Sequence, residues 1–100
     1  MYDVLILDNA WKDIDKIADL YLNLSGPKSA KRITDKILDT VESLKMFPYG
    51  YPLLRDEELR EQGYRMAVVK HYLVIYRIFD NTVYVYHVAD GRTDYPQLMK

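Results

Sequence analysis

The last third of this chain gathers the side chains best able to do chemistry. His87, Asp90, Arg92, Asp94 and Tyr95 fall within nine residues, directly after a valine- and tyrosine-rich run, and Arg65 and Arg77 precede them. Metal-free cleavage of a phosphodiester needs a base, an acid and cations around the scissile phosphate. Arg65, Arg77, Arg92, His87 and Tyr95 supply those functional groups. Each also has a plainer reading. His87 beside Val83 and Val85 is the pattern of a partly buried structural histidine, and His71 falls in a turn. Arg77 opposite Tyr84 is the pattern of a cross-strand cation–π pair. No second histidine or carboxylate stands at ligand spacing with His87, so neither a metal nor another cofactor is expected. There is no Gly-rich phosphate loop and no nucleophile elbow.

These side chains need a scaffold, and the hydrophobic periods describe one. Tyr2 to Leu7 reads as a short buried strand, with Asp8 or Asn9 suited to cap the helix that follows. Ala10, Trp11, Ile14, Ile17, Ala18, Tyr21 and Leu24 recur at helical spacing and predict an amphipathic helix over 9–24. Ser25-Gly26-Pro27 ends it and starts a second helix running to about Met46, with Ala30, Ile33, Ile37, Val41 and Leu44 as its apolar stripe. Pro48, Gly50 and Pro52 demand an irregular crossing, and Asp56 to Arg60 suits one helical turn. Three strands follow, Tyr64–Val69, Tyr72–Phe79 and Thr82–Ala89, the last two joined by an Asp80-Asn81 turn. The fold class is α+β, in the order β-α-α-β-β-β, with a helical hairpin packed on a mainly antiparallel four-stranded sheet in a single domain over 1–100.

If Phe79 pairs with Thr82, Arg77 lies opposite Tyr84, Ile75 opposite Tyr86 and Val74 opposite His87. One sheet face then carries Leu73, Ile75, Arg77, Phe79, Tyr84, Tyr86 and Val88. The other carries Tyr72, Val74, Tyr76, Ile78, Val83, Val85 and His87. Both are largely apolar, so one covers the helices and the other is expected to want a partner.

Composition narrows the function. Hydrophobic residues make up 49% and charged residues 29% of the 100 residues, the balance of a globular chain. The net charge of −1 is spread evenly, so there is no basic tail to hold nucleic acid. Any phosphate contact must rest on a local patch; Lys28, Lys31, Arg32 and Lys36 on the second helix could meet phosphate or an acidic partner, but they read first as ordinary solvated helix surface. With no cysteine there is no disulfide framework or thiolate nucleophile, which suits the cytoplasm. No stretch approaches a membrane span or a signal peptide. Ten tyrosines suit strands, interfaces and base stacking.

The motifs of the second half resemble the closing strands of the RelE/ParE superfamily of bacterial toxins. The pieces that match are Gly63-Tyr64-Arg65, Val74-Ile75-Tyr76-Arg77-Ile78 and Gly91-Arg92-Thr93-Asp94. Ala10-Trp11-Lys12-Asp13-Ile14, Phe47-Pro48 and Pro52-Leu53-Leu54 agree in the first half, so the likeness runs over essentially the whole chain. It implies the toxin of a type II toxin–antitoxin pair, blocked by a cognate antitoxin that adds a strand to the sheet or lays a helix in a groove. The apolar and tyrosine-bearing face, with Leu73, Ile75, Arg77, Tyr84 and Tyr86, is then the expected surface for antitoxin or target. Two activities divide the superfamily: RelE-like members cleave mRNA on the ribosome, and ParE-like members inhibit DNA gyrase. A RelE-like reading leaves Arg65, Arg92 and Tyr95 as the catalytic set. Against it, Ala67 and Leu73 stand where RelE-like proteins tend to carry cations. Asp90 stands where a histidine is usual, bringing negative charge to the phosphate. The resemblance therefore leans toward ParE, with the ribonuclease as runner-up and a non-toxic interaction module as a third reading; the oligomeric state is not readable.

Overall fold

The computed structural model describes residues 1–100 and shows the expected α+β architecture. Strand β1 (Asp3–Ile6) leads into helices α1 (Asp8–Ser25) and α2 (Pro27–Ser43), then a short helix α3 (Glu57–Glu61). Strands β2 (Arg65–Val69), β3 (Tyr72–Phe79) and β4 (Thr82–Asp90) follow, and a one-turn helix α4 (Pro96–Met99) closes the chain. The sheet order is β1-β4-β3-β2; β1 runs parallel to β4, and the other pairs are antiparallel. No helix is long and apolar enough to cross a membrane.

The helical hairpin forms because both helices carry one apolar stripe and Gly26 lets the chain reverse between them. Gly26 has φ 93° and is at once the C-cap of α1 and the residue before Pro27 of α2. Ala10, Ile14 and Ile17 of α1 and Ile33, Ile37 and Val41 of α2 bury against Val69, Tyr72, Val74, Tyr76, Val83, Val85 and Val88 of the sheet. Trp11 and Leu24, assigned from their spacing to the same stripe, lie off it and are exposed. Trp11, one residue on from Ala10, is turned about 100° off the stripe, and Leu24 lies in the exposed last turn of α1. The Asp8 or Asn9 cap is also not used. Leu7 holds the N-cap position with no side-chain bond, and its N–H goes to Val85 O at 2.9 Å, because β1 passes straight into α1.

The β3–β4 hairpin begins as expected, with Phe79 opposite Thr82, Arg77 opposite Tyr84 and Asp80 at φ 55°. The register then shifts. Tyr76 pairs with Val85 and Ile75 with His87, so Tyr86 is the extra residue of a bulge and Val74 faces Val88 rather than His87. The bulge moves Val88 onto the helix-facing side, into the core beside Val85.

The second sheet face is not left open. Leu54 and Leu59, from the crossing and α3, pack with Tyr64, Leu73, Ile75 and Ala89, and Tyr95 and Met99 close over them. Leu73 and Ile75 are therefore core residues, not a partner's landing site; Ile75 is 0% exposed. The reason is the segment 52–63, whose irregular path folds back across β2 with Leu54 N bonded to Tyr64 O and Met66 N to Pro52 O.

Candidate functional site

The C-terminal turn is built around one carboxylate. Asp90 ends β4, and Gly91 follows in contact with the β2–β3 turn: its N–H bonds His71 O at 2.8 Å, and a Cβ there would meet that oxygen at 3.3 Å. Only glycine fits such an approach without a shift. The chain then curls so that Arg92 donates to Asp90 three times, from its backbone N at 2.9 Å, Nε at 3.0 Å and Nη2 at 2.7 Å. Thr93 Oγ1 bonds the Asp90 carbonyl at 2.6 Å. The Arg92 side-chain and backbone bonds hold the Asp90 carboxyl well below the usual carboxylate range, and Asp90 raises Arg92 in turn. His71 Nε2 stands 3.9 Å from the same carboxylate. The planar fork that would grip a phosphate already grips an acid.

Arg65 is held elsewhere. It donates Nη1 to Tyr51 O at 2.7 Å, and its guanidinium lies 5.1 Å from the Tyr49 ring centroid. It pairs with Tyr76, whose side chain is in the helix-facing core and whose hydroxyl bonds Pro48 O. Asp90 pairs instead with Tyr72, four residues along β3 or about 13 Å away. Tyr95 packs on the opposite sheet face. Arg65, Arg92 and Tyr95 are thus not brought together.

Arg77, Tyr64 and Tyr86 are. The Arg77 guanidinium lies 4.8 Å from the Tyr64 ring and 5.5 Å from that of Tyr86, and Nη2 donates to Tyr86 Oη at 3.1 Å. The two rings meet edge to face at 5.2 Å. Burial pushes the Tyr64 hydroxyl up, with the Arg77 charge opposing it. The cation–π contact expected with Tyr84 is made instead with Tyr64 and Tyr86, because the bulge turns Tyr86 toward Arg77 while Tyr84 remains its backbone partner. Beside this triad the covering segment stops. Leu5, paired with Tyr84, is 50% exposed and Phe79 is 66% exposed, so Leu5, Tyr84, Arg77 and Phe79 form an accessible strip next to the sheet edge at β1. Leu5 was legible only through the parallel register of β1, which its four-residue strand does not reveal.

A second feature joins α1 to the end of β4. Asp13 Oδ2 accepts from His87 Nδ1 at 2.8 Å and from the Val88 N–H at 2.9 Å. An ionised carboxylate only accepts, so Nδ1 carries the proton. Asp13 takes over the edge of β4 where β1 has ended, and it ties His87 to α1. Asp13, Ile17, Leu20, Val88, Asp90 and Leu98 line an open groove of about 310 Å³ beside this junction.

The helical hairpin on a four-stranded sheet is a fold shared with solved structures from toxin–antitoxin systems. The chain is similar in structure to the chromosomal ParDE system of P. aeruginosa, at 21% identity and a TM-score of 0.76, covering 90% of this chain and 96% of that one. It is similar to the RelBE2 toxin–antitoxin complex of Mycobacterium tuberculosis at 24% identity and a TM-score of 0.65, covering 89% and 96%. The YoeB–YefM complex of Staphylococcus aureus matches at 14% and 0.56, covering 88% and 94%. No curated protein matches by sequence. The family model for the ParE toxin of the type II toxin–antitoxin system parDE matches residues 4–95, and the chain belongs to that family.

Proposed function

We propose that this ParE-family toxin acts in the cytoplasm by binding, as an inhibitor of DNA gyrase, and not as a ribonuclease. The observation that carries this reading is the dispersal of the nuclease candidates: Arg92 is engaged by Asp90, Arg65 by Tyr51 O, and Tyr95 lies on the other face. A nuclease loses most of its transition-state stabilisation when its cations neither converge nor stay free. A cognate antitoxin neutralises the toxin, in keeping with the toxin–antitoxin systems its structural relatives come from. Its seat is the strip Leu5, Arg77, Phe79 and Tyr84, with Tyr86 supporting Arg77 from beneath. Aromatic and arginine side chains of this kind anchor protein interfaces.

The test is a supercoiling assay with purified gyrase, run beside mapping of mRNA ends in cells arrested by the toxin. Loss of supercoiling with unchanged mRNA ends is expected. Codon-linked cleavage with full gyrase activity would replace this reading by the ribonuclease, and expression without any growth arrest would leave only an interaction module.

A further inference from the structure

We infer that helix α2 carries a contact site for the phosphate backbone of duplex DNA. Lys28, Arg32 and Lys36 stand at i, i+4 and i+8, so they form one stripe along the helix. All three are exposed and none is in an ion pair, whereas the neighbouring Lys31 is paired to Asp35 at 2.7 Å. Over residues 28–36 there are four basic side chains against one acidic. They crowd the N-terminal half of α2, whose first turn has no acidic residue. Cations there oppose the helix dipole, so the stripe is not an aid to the helix. The dipole adds positive potential only at Lys28, in the first turn.

The rest of the molecule sharpens the asymmetry. On the far side of the sheet, residues 55–61 carry four acidic side chains against two basic. The exposed face of α2 carries Lys28, Lys31, Arg32 and Lys36 against Asp35, Asp39 and Glu42, so its positive charge is concentrated toward its first two turns. The stripe spans about 12 Å, long enough to reach successive phosphates of one DNA strand. Apart from Pro27, every exposed residue of α2 is charged. With no apolar residue to insert, a lipid surface is a poor fit, and with no aromatic in the stripe, unpaired bases have nothing to stack on.

The contact goes beyond target inhibition and is measured without gyrase, so the two readings stand or fall separately. Fluorescence anisotropy of a labelled 20-base-pair duplex is followed with the full chain from 20 to 200 mM salt. Three phosphate contacts give a slope of about −2.7 in log K against log salt, roughly 500-fold over that range. The variant K28Q/R32Q/K36Q, whose folding is checked by circular dichroism, is expected to lose at least tenfold in affinity and most of the slope. E57Q/E58Q, on the acidic side, is expected to keep the slope. No binding by the parent chain at 20 mM salt, undiminished binding by the triple variant, or retention on phosphatidylserine vesicles without DNA binding would overturn the proposal.

Discussion

Arg92 and Asp90 form a closed pair two residues apart, with Nη2 to Oδ2 at 2.7 Å and Nε to Oδ1 at 3.0 Å. The geometry is bidentate, the form in which an arginine binds a carboxylate best. The pair shapes the turn that carries the chain from β4 to α4, and it aims the face of the guanidinium with Nε and Nη2 at the carboxylate. Arg92→Ala is therefore expected to leave growth arrest and gyrase inhibition within about twofold of the parent chain, since no interaction unique to a transition state is removed. Dose–response curves for arrest and supercoiling check this. A drop of a hundredfold or more would return Arg92 to an active site.

Asp13 and His87 hold a contact across 74 residues of sequence, and Asp13 also takes the Val88 N–H. Asp13→Ala leaves a strand N–H and a half-buried imidazole without their acceptor, at a cost of about 1–3 kcal/mol. For a domain of this size each kcal/mol lowers Tm by about 4–8 °C. Asp13→Asn keeps one acceptor oxygen and is expected to fall between the two. Thermal melts of the three proteins at one pH measure the order, and equal Tm values would show that the contact is idle.

The elements were legible where a local period or a turn residue encodes them. The stripes Ile14–Ile17 and Ile33–Ile37–Val41, the Gly26 reversal and the Asp80 turn each act over a few residues, so their neighbours in sequence suffice. The bulge at Tyr86 has only a faint mark: no glycine precedes it, and the one break in the Val83–Val85 alternation is His87, a single residue that a partly buried histidine explains as well. It arises because Val85 and Val88 must both reach the helices while Tyr86 packs on Tyr64. The same holds for Leu73 and Ile75. Their apolarity was plain, but what covers them comes from Leu54 and Leu59, in a segment whose prolines hide its course. The Asp13–His87 contact joins a helix to a strand end, and neither residue announces the other.

That burial separates two classes of apolar residue on one sheet face. Ile75→Ala removes a fully buried side chain and is expected to cost about 2–5 kcal/mol. Phe79→Asp, at an exposed site, is expected to change stability by no more than about 0.5 kcal/mol. Its effect belongs to binding: the variant should stay toxic but escape its antitoxin. Urea denaturation gives the first contrast. Co-expression with the antitoxin gives the second, and a Phe79→Asp toxin still neutralised would remove the strip from the interface.

Buried tyrosines, Tyr72 and Tyr76 foremost, make the fold sensitive to alkali. Burial pushes the hydroxyls of Tyr72 and Tyr76 up to about 12, from an ordinary value of 10.0, and the hydroxyl of Tyr76 bonds Pro48 O deep in the core. The folded chain thus keeps protons that the unfolded chain gives up. Below the unfolded value both states are protonated and stability is intact. Between about pH 10 and 12 each tyrosine lowers stability by up to about 1.4 kcal/mol per pH unit. Tyr76→Phe should cost about 0.5–1.5 kcal/mol at pH 7 through the lost hydrogen bond. It should also flatten the alkaline fall by one tyrosine's share. Melts at pH 8, 10 and 11, read with tyrosinate absorbance, test both effects; a Tyr76→Phe chain whose Tm falls as steeply with pH as the parent's would show that the Tyr76 hydroxyl does not resist ionisation in the fold.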